Sequence, residues 1–176
     1  MKMTEKRQAL EVFSRFFNDS LRKHFCQKSE YLSLFSTWKT TPEHWFRVEI
    51  LYALSYSPDF EIKSTNQKYE GIDGQPDFVI KHKSAELICE LKVLPKDKNY
   101  ASALQRFQAG KNNKNDFQML KSKRRDGIIY VYWPDPGDWK KCKARLETEY
   151  GIPCSDQFKI PIESGEVIFS LWCILG

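Results

Sequence analysis

The stretch GQPDFVIKHKSAELICELKVL, residues 74–94, decides the fold because it contains two apolar runs of strand length around a tight turn. The runs cover residues 77–82 and 85–94, and Lys83-Ser84 forms the turn between them. This pattern predicts an antiparallel hairpin. Both strands also carry charged residues, and a buried charge is costly unless it has a partner. The charged residues in these strands are therefore candidates for a functional site.

Three of these charged side chains are expected to converge. Side chains alternate along a strand, so Glu90 and Lys92 share one face and stand about 6.6 Å apart at a rise of about 3.3 Å per residue. Asp77 opens the neighbouring strand, and the hairpin brings it within reach of Glu90. The sequence therefore predicts a site with two carboxylates and one lysine.

Two converging carboxylates repel each other unless a positive charge lies between them. Magnesium suits oxygen ligands, takes one or two carboxylates, keeps several waters and accepts phosphate oxygens. Such an ion polarises a phosphodiester and lowers the pKa of a bound water, and Lys92 could orient that water or offset charge on the phosphoryl group. We therefore expect Mg²⁺ as the cofactor, with Mn²⁺ able to substitute.

The order Pro76-Asp77, twelve residues, then Glu90-Leu91-Lys92 resembles the signature of the PD-(D/E)xK nuclease superfamily, the restriction-endonuclease-like proteins. The resemblance implies a core of a helix, three strands, a helix and a strand. It also implies metal-dependent hydrolysis of phosphodiester bonds, in which Asp77 and Glu90 hold the metal and Lys92 assists the attacking water. Restriction, phage defence, repair and recombination are all implied roles, and the sequence does not choose among them.

Two other segments contain similar letters without the required geometry. Asp59 and Glu61 have one residue between them, so both lie on one strand and no hairpin joins them. The pair Asp135 and Asp138 sits in a Pro/Gly turn that enters a helix. Asp73, in the turn before the catalytic strand, is a weaker rival to Asp77 as a metal ligand.

Glu49 is the predicted third acid of the site. Thr41-Pro42-Glu43 has the features of a helix start, so residues 43–56 are expected to be helical. No cation lies three or four positions from Glu49 in this largely apolar helix. The resemblance implies that a glutamate of the first core helix helps hold the metal. The alternatives are that Glu49 pairs with a lysine from elsewhere or lies on an exposed face.

The remaining patterns predict a mixed α and β chain. We expect an α/β fold with a restriction-endonuclease-like core at 41–133, a central mixed sheet flanked by helices, an N-terminal helical addition at 1–40 and a C-terminal extension at 134–176, all in one domain. The N-terminal helix should span 4–35 with a break near Asn18-Asp19-Ser20. The other predicted elements are helices at 100–110, from 115 to before 127, and at 138–150, and strands at 59–64, 127–133, 157–162 and 166–175.

The charge distribution favours a polyanionic partner. The net charge is +5, from 28 Lys and Arg against 23 Asp and Glu, and cations cluster at 111–125 and 139–145. We expect nucleic acid as the partner, DNA rather than RNA, although a charge run is often only a solvated face. The candidate contacts are Gln118, Lys121, Lys123, Arg124 and Arg125.

Other function classes have little support. The chain has no GxxxxGK[ST], GxSxG or GxGxxG motif, and its five cysteines form no CxxC pair. It has no apolar run long enough for a membrane span and no apolar secretory region at its start, so we expect a soluble, cytoplasmic protein. A non-catalytic module of the same fold, an RNA nuclease, a homodimer and an activating protein partner remain open alternatives.

Overall fold

A computed structural model describes residues 2–37, 42–72, 74–94, 116–132 and 136–174. The predicted helix at 100–110, the residue Thr41 and the rival acid Asp73 lie outside the described residues. The helices are α1 (Lys2–Phe16), α2 (Arg22–Cys26), α3 (Ser29–Thr37), α4 (Glu43–Ser55), α5 (Asp116–Lys121) and α6 (Pro136–Tyr150). The strands are β1 (Glu61–Thr65), β2 (Phe78–His82), β3 (Ala85–Leu94), β4 (Gly127–Tyr132), β5 (Asp156–Ile162) and β6 (Gly165–Cys173).

The described strands form one mixed sheet of six, in the order β1-β2-β3-β4-β6-β5. The predicted hairpin is confirmed, since β2 and β3 pair antiparallel with Phe78 opposite Cys89 and His82 opposite Ala85. β3 and β4 pair in parallel, whereas the other neighbours are antiparallel. The chain is therefore an α/β protein with a six-stranded mixed sheet flanked by helices, as the sequence predicted at this level.

Each face of the sheet has its own hydrophobic cluster. On one face, Leu91 of β3 and Phe169 of β6 pack with apolar side chains of α1 to α4. On the other face, Tyr130 of β4 and Trp172 of β6 pack with Phe117 of α5 and with side chains of α6. Alternating side chains therefore send Leu91 into one cluster and leave Glu90 and Lys92 on the opposite face.

The N-terminal helical segment differs from its prediction at one point. The expected break near residues 18–20 is instead a π-helical turn, Phe17–Leu21, and the chain leaves the helix only after α2. The wider π turn buries both Phe17 and Leu21 and places Asn18 where its amide donates to Asp156 at 2.6 Å. Packing against the sheet therefore keeps helical a stretch whose Asn, Asp and Ser favour turns.

α5 is shorter than predicted and ends at Lys121. Lys123 adopts a left-handed backbone conformation, with φ of 58°, which stops the helix before the loop that leads into β4. Within the described residues, no helix is long and apolar enough to cross a membrane.

Candidate functional site

The candidate site lies where the hairpin strands carry their acidic residues. Because Phe78 is opposite Cys89, the residue before β2, Asp77, faces Glu90 of β3. The Leu91 backbone N–H donates to Asp77 Oδ2 at 2.7 Å, which fixes the Asp77 carboxylate against β3. Asp77 and Glu90 are each only 6% exposed. The structure therefore brings these two predicted acids together in a buried position.

Their proximity changes the acidity of Glu90. The pKa of Glu90 is raised to about 8, chiefly by burial and also by hydrogen bonding to Asp77 and the negative charge of Asp77, while Arg125 opposes the shift. Burial and Asp77 therefore favour the protonated form of Glu90, and Arg125 favours its charged form.

Each carboxylate also contacts an arginine. Arg47 of α4 donates from Nη2 to Asp77 Oδ1, and Arg125, from the loop before β4, donates from Nε to Glu90 Oε1 at 2.5 Å. Both guanidinium groups are buried, and Nε of Arg47 has no hydrogen-bond partner among the described residues. Two arginines therefore supply the positive charge that this pair of acids requires.

The two acids of α4 lie on different sides of that helix. Glu43 contacts Arg47 Nη2 at 3.6 Å, so one arginine nitrogen separates Glu43 from Asp77. Glu49 is two positions beyond Arg47, and a helix turns its side chains by about 200° over two residues. Glu49 instead accepts from His24 at 2.6 Å and lies 3.7 Å from Lys28 Nζ. The Lys28 contact matches the alternative in which Glu49 pairs with a lysine from elsewhere.

The structure therefore brings together two of the three predicted metal ligands, Asp77 and Glu90, and not Glu49. Among the residues that the structure describes, no group of three or more His, Cys, Asp or Glu side chains has the arrangement to hold a metal ion. Lys92 follows Glu90 by two positions in β3, is half-buried and pairs in register with Tyr130 of β4.

The predicted nucleic-acid contacts separate into two groups. The exposed ones are Gln118, Lys121, Lys123 and Arg124, on α5 and the loop after it. Arg125 is only 3% exposed and pairs with Glu90, so it does not present its guanidinium on the surface as predicted. The loop delivers Arg125 to the interior because β4 runs parallel to β3 directly beside Glu90.

Sequence analysis missed Arg47 as a partner of the acids. One signal was available, since Arg47 interrupts the apolar pattern of α4 on its buried side, beside Phe46 and Ile50. A buried cation requires an acid, and Asp77 was the acid already expected to be buried. The Arg47–Asp77 pair forms because α4 packs beside the hairpin. Local sequence pattern does not reveal that packing.

Comparisons of the chain with protein-family models, curated proteins and solved structures give no match. The interpretation of the site therefore depends on the residues and contacts described above.

Proposed function

We propose that the chain is a metal-dependent nuclease with a restriction-endonuclease-like core, which hydrolyses phosphodiester bonds, with DNA favoured over RNA as substrate. The observation that carries the proposal is the buried pair Asp77 and Glu90, held side by side by the β2–β3 hairpin with Lys92 two positions further on. The order helix α4, strands β1 to β3, helix α5 and strand β4 supports the same proposal.

The donor set and its charge fit a divalent cation. Asp77 and Glu90 offer carboxylate oxygens, which are the ligands that Mg²⁺ and Mn²⁺ accept. Arg47 and Arg125 together bring two positive charges to these acids, the same charge that one divalent ion would bring. When bound, the metal would supply Lewis-acid polarisation of the phosphodiester and an activated water.

The protein's own residues then have separate tasks. Asp77 and Glu90 would hold the metal, and Glu90 must lose its proton to do so because a ligating carboxylate is deprotonated. Lys92 would orient the attacking water and offset negative charge that develops on the phosphoryl group. Arg47 and Arg125 now occupy these acids, so both would have to release them for a metal to be held there, and each guanidinium has the geometry to contact a phosphate oxygen instead.

The third acid of the site, which α4 supplies, is better assigned to Glu43 than to Glu49. Glu43 shares a nitrogen of Arg47 with Asp77, whereas Glu49 is engaged by His24 and Lys28 on the other side of the helix. Because Glu43 and Asp77 both contact Arg47 Nη2, Glu43 would be next to any cation that replaced the Arg47 guanidinium beside Asp77. The role of Glu49 in metal binding remains the sequence-based prediction, and Glu43 is the alternative that the contacts favour.

The substrate would be held through its backbone. Lys121, Lys123 and Arg124 are exposed on α5 and the loop that leads to Arg125, and such cations position nucleic acid through phosphates without reading its sequence. The resemblance to the PD-(D/E)xK superfamily implies a role in restriction, phage defence or DNA repair. A homodimer and an activating protein partner remain predictions.

A second candidate function has one specific observation in its favour. Both acids are already neutralised by arginines in a buried cluster, and a closed ion-pair cluster also suits a non-catalytic module that binds nucleic acid or protein. The two candidates differ in whether a metal displaces the arginines.

A cleavage assay tests the proposal. Purified protein is incubated with single-stranded, linear duplex, circular and branched DNA and with RNA, in Mg²⁺, Mn²⁺ or EDTA, beside the variants Lys92→Ala and Asp77→Asn. Cutting that needs metal and is lost in both variants supports the nuclease. Metal-insensitive binding without cutting on every substrate supports the module, and cutting that survives Asp77→Asn refutes the assigned site.

A further inference from the structure

A cationic cavity, separate from the Asp77–Glu90 pair, lies between helix α1 and the loop before β4. It has a volume of about 210 Å³, with Lys6 and Arg7 of α1 on one side and Lys123 on the other. Arg125 and Asp126 form its inner wall, and its apolar lining is Leu10, Leu120 and Ile174. The N-terminal helix therefore contributes cations to the same surface as the loop that carries Arg125.

The cavity keeps an excess of positive charge after its internal pairs are counted. Lys6 Nζ lies 2.7 Å from Asp126 Oδ1, and the other oxygen of Asp126 accepts from the Ile88 backbone N–H at 2.8 Å. Arg7 contacts Glu11 at 3.2 Å, but both side chains are more than half exposed, so water weakens that pair. Lys123 is exposed at the mouth of the cavity. Within the part of the chain that the structure describes, the four cations of the lining, which include Arg125, form ion pairs with Asp126, Glu11 and Glu90.

The backbone at Lys123 is a second, independent observation. Its φ of 58° is the left-handed conformation that closes a helix, with the Lys123 N–H donating to the Leu120 carbonyl and the Arg124 N–H to the Met119 carbonyl. Glycine is the residue that favours this position, and a lysine there carries a conformational cost. The left-handed turn therefore places the Lys123 side chain in the lining of the cavity.

We propose that this cavity binds a backbone phosphate of the nucleic acid, so that α1 is part of the substrate interface. The proposal rests on the proposed function and adds Lys6 and Arg7 of α1, which the sequence did not assign, to the candidate contact Lys123. Arg125 lines the cavity on one side and contacts Glu90 on the other. A phosphate held by Lys6, Arg7 and Lys123 therefore belongs to a strand that passes directly beside the candidate site.

The test measures binding instead of cleavage, by fluorescence anisotropy of fluorescein-labelled single-stranded and duplex DNA oligonucleotides in EDTA. The variants are Lys123→Gly and Arg7→Gln, and the matched control is Lys83→Gly. Lys83 is also an exposed lysine with a positive φ, of 53°, and it does not line the cavity. Both glycine variants remove one positive charge and one strained backbone position.

We expect both glycine variants to raise the Tm by about 2 to 4 °C, because glycine relieves the left-handed conformation. Only the cavity variants should lose affinity, by about five- to tenfold each at 0.1 M salt, with the slope of log K against log salt reduced by about 0.7 to 0.9. A more stable protein that binds less well cannot be explained by a structural role of Lys123.

The outcomes separate this inference from the proposed function. If the wild type binds DNA and Lys123→Gly and Arg7→Gln bind as well as Lys83→Gly, the cavity is not a phosphate site and the nuclease proposal stands. If Lys83→Gly loses as much affinity as the cavity variants, the effect is general electrostatics and the cavity assignment is wrong. If the wild type binds neither oligonucleotide, both proposals fail together.

Discussion

Replacing Arg47 with methionine removes the cation beside Asp77 while keeping most of the apolar length of the side chain. Arg47 and Asp77 are about nine-tenths buried, and removal of one partner from a buried ion pair costs about 3–5 kcal/mol because the other charge stays buried. The Leu91 N–H still donates to Asp77, so the lower end of that range, about 3 kcal/mol, is expected. The loss corresponds to a Tm lower by about 6 to 12 °C.

The assay is urea unfolding in EDTA, followed by tryptophan fluorescence, for the wild type, Arg47→Met, Asp77→Asn and the double variant. The double variant should recover much of the lost stability, with a coupling free energy of about 2 kcal/mol, since no charge is then left buried alone. Arg7→Met, at an exposed position, is the control and should change the unfolding free energy by less than about 0.5 kcal/mol.

The same variant tests the exchange of arginine for metal. Without Arg47, a divalent ion has one competitor fewer for Asp77, so Mg²⁺ or Mn²⁺ should stabilise Arg47→Met more than the wild type. Metal at 100 times its Kd contributes about 2.7 kcal/mol to folding stability. A loss below about 1 kcal/mol in EDTA would refute the buried pair. Equal metal-induced stabilisation of Arg47→Met and wild type would refute the competition between Arg47 and metal.

Three further predictions follow from the same site. In EDTA the free energy of unfolding should fall by several kcal/mol, at most about 5, as pH rises from about 5 to 8.5, because the pKa of Glu90 is about 8 in the folded protein and near 4.5 when unfolded. Glu90→Gln should flatten that dependence, and parallel profiles would contradict the assignment. Glu43→Gln should weaken Mn²⁺ binding in isothermal titration calorimetry by more than about fivefold while Glu49→Gln leaves it within about twofold. The reverse order would restore Glu49 as the ligand. The wild type should lose DNA affinity steeply with salt, and salt-independent affinity would mean that the exposed cations do not contact phosphates.

The sequence predicted the hairpin well because each of its determinants is local. Alternating apolar residues and the turn at Lys83-Ser84 set both strands, and β3 has the predicted bounds of 85–94. The same locality explains why Asp77 and Glu90 meet as expected, since a tight hairpin fixes its own register. This part of the site depends on fewer than twenty consecutive residues.

The side-chain placements that the sequence did not predict depend on packing between distant segments. Glu49 was assigned to the site because its own helix offers no cation, but His24 of α2 and Lys28 of the turn after α2 contact it. Arg125 was assigned to the surface because it ends a basic run, but the parallel pairing of β3 with β4 carries it inside. No local pattern specifies either contact.

The spacing of the ion pairs along the chain has a consequence for folding kinetics. The hairpin closes over a two-residue turn, whereas the cations that neutralise it are 30 residues away in α4 and 35 residues away before β4. A hairpin formed alone juxtaposes two acids without compensation, and the parallel β3–β4 pairing that delivers Arg125 is a non-local, slow step. Early hairpin formation therefore carries an electrostatic penalty that docking of α4 and β4 relieves. The acidic pair thereby couples formation of the β2–β3 hairpin to the docking of α4 and β4, and assembly of the sheet becomes more cooperative.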